Sequence, residues 1–331
     1  MRALRLSSAS SLLGVLLLLV LPQKSPGQEP PPRKPLEKIR VTVPAKSLTF
    51  LPFYFGHAKG FFSDEGVDLE LIVMRPPLGI VALEAGDVAY SAAPGVGMRA
   101  ALKGAALRVV MFVQTKLSFS LVGQQGMSEK RIKTVGVSGI GSTAHYAGLA
   151  IMKKLGRGSP GDKVTYITTN TTAQSYAALV SKAVDAAILT PPFTSMATLA
   201  GYADLGDAFD IGDVQGGLVT TAKRAQEQRD QVKTVLRGML RSLEYIAGHE
   251  EETVQYLQKQ FNLDRRVAAG SYGILKRVFT MSGDIEEPLL KSVVERMKRD
   301  SKITEEIPMD RIVDLSLIRE AQAELKTKRR R

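Results

Sequence analysis

Short apolar runs alternate with helical patterns along most of this chain. Ile39–Val43, Val67–Val73, Val88–Ala92 and Leu107–Val113 read as strands, being short, rich in Val, Ile and Leu, and bounded by turn residues. Helical spacing lies between and after them, near Pro52–Lys59, Leu78–Ala85 and Val96–Lys103. A second set follows: strands at Ser118–Val122, Thr134–Val137, Val164–Ile167 and Ala186–Leu189, with helices at Ser142–Leu155, Ala173–Lys182 and Phe193–Ala200. After Gly216-Gly217 the texture turns helical. Ala222–Gly248 reads as one long amphipathic helix, with Val232, Val235, Leu236, Met239, Leu240, Leu243 and Ile246 on one face. Helices near Glu251–Phe261, Arg265–Val278 and Pro288–Arg299 complete the pattern. Strand–helix alternation predicts parallel sheets with crossover helices. The expected fold is α/β with two lobes, each a mostly parallel sheet flanked by helices, and with the C-terminal helices packed on the first lobe. The expected first lobe is 36–117 plus 218–331 and the second is 118–217, joined by crossovers near Leu117–Phe119 and Gln215–Val219.

The first 35 residues follow a different rule. Arg2 and Arg5 precede an apolar run, Leu12–Leu21, too short to span a bilayer comfortably, and small residues (Ser25, Gly27) follow it. This predicts a cleaved signal peptide over 1–27. A proline-rich tether, QEPPPRKP, occupies 28–35. The sequence has no cysteine. That excludes disulfides, thiolate metal sites, cysteine nucleophiles and lipid attachment at a mature N-terminal cysteine. The expected location is therefore the periplasm, as a free protein.

Charge changes the picture little. The formal net charge is +12, of which Arg2, Arg5 and Lys24 belong to the signal region. The terminal run Lys326–Arg331 carries five further positives and reads as a frayed, solvated end. No aromatic residues interleave with these charges, so no stacking surface for nucleic acid is evident. Phosphate-loop, zincin and nucleophile-elbow patterns are missing. Gly95–Ala100 fits G-x-G-x-x-A, but the first acid after it is Glu129, too far on for a dinucleotide site. Asp204, Asp207, Asp210 and Asp213 recur every third residue, which is not calcium-loop spacing, and read as a solvated connection. His57 and His249 read as surface residues. No metal or cofactor is expected.

Four motifs lie in order along the chain: the helix and turn Phe50–Gly66 ending in GFFSDEG, Ala82–Asp87 (ALEAGD), Val135–Thr143 (VGVSGIGST), and Asp185–Pro192 (DAAILTPP). Together they resemble the bacterial solute-binding proteins that serve ABC importers for sulfonates, taurine, nitrate and thiamine precursors. The resemblance implies a type 2 periplasmic-binding fold, with a ligand held between the lobes and an inner-membrane ABC permease as partner.

The chemistry of open parallel sheets points to the same place, since their ligands bind beyond the carboxyl ends of the strands. On the first lobe those ends offer Ser47, Leu48 and Phe50, then Ala92 and Ala93, then Gln114. On the second lobe Gly139 lets the backbone approach a ligand, and Ser142 or Thr143 can cap a helix whose N-terminus attracts an anion. His145 in that helix's first turn, Thr169 in the TTNTT run and Pro192 in the rigid Pro-Pro turn complete the candidate wall. The expected function is capture of a small, anionic organic solute by hinge closure, without catalysis, by a monomer that binds no nucleic acid. The alternatives are a same-fold enzyme of thiamine-pyrimidine or menaquinone type, and a periplasmic sensor subunit.

Overall fold

The computed structural model describes residues 35–158 and 162–329. The expected signal peptide, and the tether up to residue 34, lie outside the described residues. The first sheet begins with β1 (Glu37–Val43), α1 (Leu51–Ala58), β2 (Val67–Val73), α2 (Pro76–Ala85), β3 (Tyr90–Ser91), α3 (Pro94–Leu102) and β4 (Leu107–Lys116). The second holds β5 (Ser120–Gly123), β6 (Thr134–Val137), α4 (Thr143–Lys154), β7 (Thr165–Thr168), α5 (Thr172–Val180), β8 (Ala186–Leu189), α6 (Phe193–Leu199) and β9 (Ala203–Asp207). The chain then returns as β10 (Gly212–Thr221) and ends in helices α7 (Ala222–Glu227), α8 (Arg229–Gly248), α9 (Glu250–Phe261), α10 (Arg265–Val278), α11 (Glu287–Asp300) and α12 (Ser316–Arg329).

The strand orders are β2-β1-β3-β10-β4 and β7-β6-β8-β5-β9. In each sheet one strand alone runs against the other four: β10 in the first, β5 in the second. Both sheets are thus mostly parallel, and the exceptions are the strands by which the chain arrives from the other sheet. The two passages between sheets are bonded to each other. Lys116 pairs with Gly212 and Ser120 with Asp207, while between them Leu117 donates to Ile211 O (3.1 Å) and Ala208 to Phe119 O (2.9 Å). Gln215 Oε1 accepts from the N–H and hydroxyl of buried Ser118, both at 3.2 Å. The link is a continuous two-stranded ribbon.

Helices cover both faces of the first sheet. Val41 and Val43 share one core with Phe53 and Phe55 of α1, the α8 stripe and Tyr272 of α10. Phe112 lies in the other with Met98 of α3 and Val293, Val294 and Met297 of α11. Every member of the α8 stripe read from the sequence is buried. The second sheet buries Ala147 and Ile151 of α4 in one core, and Leu179 of α5 with Ala197 of α6 in another.

Several expectations need correction. The helix expected over Ala222–Gly248 is two helices, because Gln228 (φ −122°, ψ 38°) leaves the helical region between α7 and α8. Gly216-Gly217 does not mark a linker. Both glycines lie inside β10, so the return passage is Ala208–Ile211 rather than Gln215–Val219. Strand β9 and the final helix α12 were not foreseen. Asp213 is not solvated but buried, accepting from Arg296 at 2.6 Å. The basic end is helical through Arg329, and Lys328 reaches Glu65 at 3.2 Å. His57 and His249 are exposed, as the sequence predicts.

The motif at Asp185 has a structural task. Its carboxylate accepts the N–H groups of Lys133 and Thr134, both at 2.9 Å, and its own N–H donates to Thr134 Oγ1. This staples β6 to the head of β8. Partial burial pushes the carboxyl pKa up, but the peptide donors outweigh it and hold the group below the usual carboxylate range. A depressed pKa stabilises the fold above the unfolded value of about 3.9, and that contribution is lost as pH falls through the folded value. Asp185→Ala is expected to cost about 1.5–3 kcal/mol at pH 7. Urea titrations repeated down to acid pH check this: the gap between variant and parent should close as Asp185 protonates, and a pH-independent gap would contradict the assignment.

Candidate functional site

Helices α4, α5 and α6 begin at the carboxyl ends of β6, β7 and β8, so three helix N-termini share one edge of the second sheet. At α4 the chain turns through Gly139 and Gly141, the latter at φ +76°, a conformation that favours glycine. Ser142 is the N-cap. Its Oγ accepts the His145 N–H at 3.3 Å and lies 3.2 Å from Ser138 Oγ. The N–H groups of Thr143 and Ala144 then have no intrahelical acceptor. His145 Nδ1 accepts the Gly141 N–H at 3.1 Å and its ring stands edge-on to Tyr166, so this ring is committed to fixing the glycine turn.

Thr169 holds the next corner. Its hydroxyl contacts Val137 O (2.9 Å) and Ser175 Oγ (2.6 Å), while Thr171 caps α5 through the Gln174 N–H. Pro192 starts α6 after a cis Pro191-Pro192 bond, and Phe193 packs on Tyr176. Gly139, Ser142, His145, Thr169 and Pro192 are half-buried and Thr143 is exposed.

The first-lobe wall is chemically different. Its helices α1, α2 and α3 carry proline in the first turn (Pro52, Pro76, Pro94), where α4 and α5 have hydroxyl caps. Each proline removes a peptide donor, so the second lobe supplies more N–H groups at its helix starts. Ser47 is half-buried, and Leu48, Phe50, Ala92, Ala93 and Gln114 are buried. A Cβ added at Gly216 of β10 would stand 3.7 Å from Thr49, in the turn before α1, and from Val113. Gln114 is fully buried, yet neither its Oε1 nor its Nε2 has a hydrogen-bond partner. Leaving a buried amide unpaired costs about 1–3 kcal/mol per group.

Sequence reasoning missed one part of this region. The first turn of α6 meets α10: Ser271 Oγ donates to Ser195 Oγ at 3.3 Å, and Gly270 lies against the same serine. Neighbouring Thr194 is buried with its hydroxyl unpaired. These residues lie 76 positions apart and carry no local motif, so no signal in the sequence joins them. A surface cavity of about 560 Å³ lies instead at the far end of α4, beside the Arg157–Asp162 ion pair. Among the described residues no cluster of His, Asp or Glu could hold a metal ion, and no helix is long and apolar enough to cross a membrane.

Two mostly parallel sheets flanked by helices and joined by a two-stranded ribbon define the two-lobed periplasmic-binding fold. Within that fold the chain belongs to the NMT1/THI5-like family, whose model matches residues 47–253. Solved structures share the architecture at low identity. The alkanesulfonate-binding protein SsuA from Xanthomonas axonopodis pv. citri, bound to MOPS, is 14% identical with a TM-score of 0.66, over 85% of this chain and 99% of its own. The periplasmic aliphatic sulphonate binding protein SsuA from Escherichia coli is 16% identical with a TM-score of 0.65, over 84% and 92%. The ligand-binding component of an ABC-type import system from Staphylococcus aureus, with zinc bound, is 18% identical with a TM-score of 0.65, over 87% and 99%. No curated protein matches the chain by sequence.

Proposed function

We propose that this protein captures a small organic anion between its lobes and presents it, in the periplasm, to an ABC importer. The observation that carries the reading is the contrast between the two walls. The second lobe offers the Gly139–Thr143 turn and the α4 N-terminus, which suit a sulfonate or carboxylate. The first lobe offers Leu48, Phe50, Ala92 and Ala93, which suit an apolar body, with Gln114 as a polar anchor in need of a partner. Leu48, Phe50 and Ala92 are buried in the first lobe's own core with Val41 and Val43, so they back this wall rather than stand free in it. No bond of the ligand is made or broken. Sulfonate-binding neighbours support the anion class.

Isothermal titration of the exported protein with MOPS, taurine, longer alkanesulfonates and aromatic carboxylates is the test. Micromolar binding, about −8 kcal/mol, is expected for at least one anion. Ser142→Ala removes the cap and should weaken that binding about five- to ten-fold, as expected for the loss of ~1 kcal/mol. Binding of neutral pyrimidines with silence from every anion would overturn the proposal.

A further inference from the structure

The meeting of α6 with α10 joins elements that belong to different sheets. Helix α10 is fixed to the first lobe at several points. Tyr272 donates its hydroxyl to Ile246 O of α8 at 3.0 Å, and Thr280, just past the helix, donates to Val113 O of β4 at 2.9 Å. Phe279 bridges to Gln114. Helix α6 is fixed to the second lobe, starting directly from the β8 end, with the Thr194 N–H on Thr190 O. The distance between α6 and α10 therefore reports the distance between lobes.

Gly270 sits inside α10 with helical backbone, so no special dihedral demands it. A glycine there costs helix stability relative to alanine. What it permits is approach: a Cβ at this position would lie 3.2 Å from Ser195 Oγ and 3.4 Å from Ser195 Cβ. Gly273, on the same helix, would meet nothing within 4 Å. The seam itself is small and polar. Ser195 and Ser271 are buried against one another, and Thr194 beside them has a buried hydroxyl with no partner. A contact of small side chains with one hydroxyl pair and one unsatisfied hydroxyl can part without exposing a large apolar core.

We propose that the Gly270–Ser271 step of α10 is the closure stop of the cleft: it seats Ser195 of α6, and the missing side chain at Gly270 sets how near the lobes approach. This rests on the two-lobe capture reading and assigns Gly270 and Ser195 as positioning residues for it.

The test needs no ligand. Because the chain has no cysteine, Glu84→Cys on α2 and Lys153→Cys on α4, both exposed, provide a single pair of spin-label sites, one per lobe. Pulsed-dipolar distances are measured in this background, then with Gly270→Leu, and separately with Ser195→Val, which adds bulk from the other side. Each bulky variant should move the distance distribution to longer separations, while the exchange Gly270→Ala with Ser195→Gly should keep the parent distribution. Should Gly270→Leu fail to fold, Ser195→Val carries the test alone. Parent-like distances in the folded bulky variants would overturn the proposal. A silent solute panel would remove the capture reading without altering these distances, so the two failures are separable.

Discussion

Arg237→Ala is expected to cost about 3–5 kcal/mol of stability, the range for removing one partner of a buried ion pair. Arg237 of α8 is hemmed in by Glu65 (Nε to Oε2, 2.6 Å), Glu324 of α12 (Nη1 to Oε2, 2.6 Å) and Thr234 (3.0 Å). Its side chain is 12% exposed and that of Glu65 only 6%. Lys328 also reaches Glu65, and Arg241 reaches Asp64 at 2.8 Å. The GFFSDEG turn is thereby locked to two helices far along the chain, and Gly66 at φ +85° completes it. Alanine at 237 strips the largely buried Glu65 of its nearest cation and leaves it only Lys328 at 3.2 Å and Arg241 at 4.0 Å. Urea unfolding of Arg237→Ala, of Glu65→Ala and of the double variant measures this. The double variant should be less destabilised than the sum of the singles, since it leaves no stranded charge. A loss below about 1 kcal/mol in Arg237→Ala would show the network to be no stronger than a surface pair.

Gly217→Ala should be nearly as damaging. An added Cβ would stand 2.3 Å from the carbonyl oxygen of Met111 and 3.1 Å from Pro94 Cγ. The first neighbour is backbone in the adjacent strand β4 and cannot rotate away. Relief requires β10 to leave β4 locally, breaking the ladder around the Gly217–Phe112 pair. Overpacking of this kind costs about 1–3 kcal/mol and more when the backbone must shift. A fall of several degrees in melting temperature is expected; an unchanged melting curve would mean the strand absorbs the methyl freely. Gly212→Ala is the control, because its Cβ would meet the mobile end of Leu289 instead (2.5 Å).

The same glycines show where the sequence stops being readable. Strand β8 announces itself by consecutive Ala, Ile and Leu, β2 by apolar residues alternating with Asp68 and Glu70, and helix α8 by its stripe. Strands β9 (ADLGD) and β10 (GDVQGGLVTT) carry the Asp and Gly that mark turns. They are strands because β5 and β4 pair with them, which is a tertiary cause. The Gln228 break has no proline or glycine to reveal it. At the site, strand ends and the Ser142 cap are legible because strand-to-helix turns have local chemistry. The burial of Gln114 is not, since it depends on what covers the end of β4, and neither is the pairing of Ser195 with Ser271.

The strand order also dictates how the molecule comes together as it is made. Strand β10 fills the slot between β3 and β4, yet it emerges only after the whole of 120–207 has been synthesised. The second sheet is drawn from one uninterrupted stretch and has all its strands before the first has its fifth. The nascent chain therefore holds a first sheet with a gap at its heart while the inserted lobe matures. Completing that gap waits on a partner more than ninety residues downstream of β4's end, a long-range closure of the slow kind.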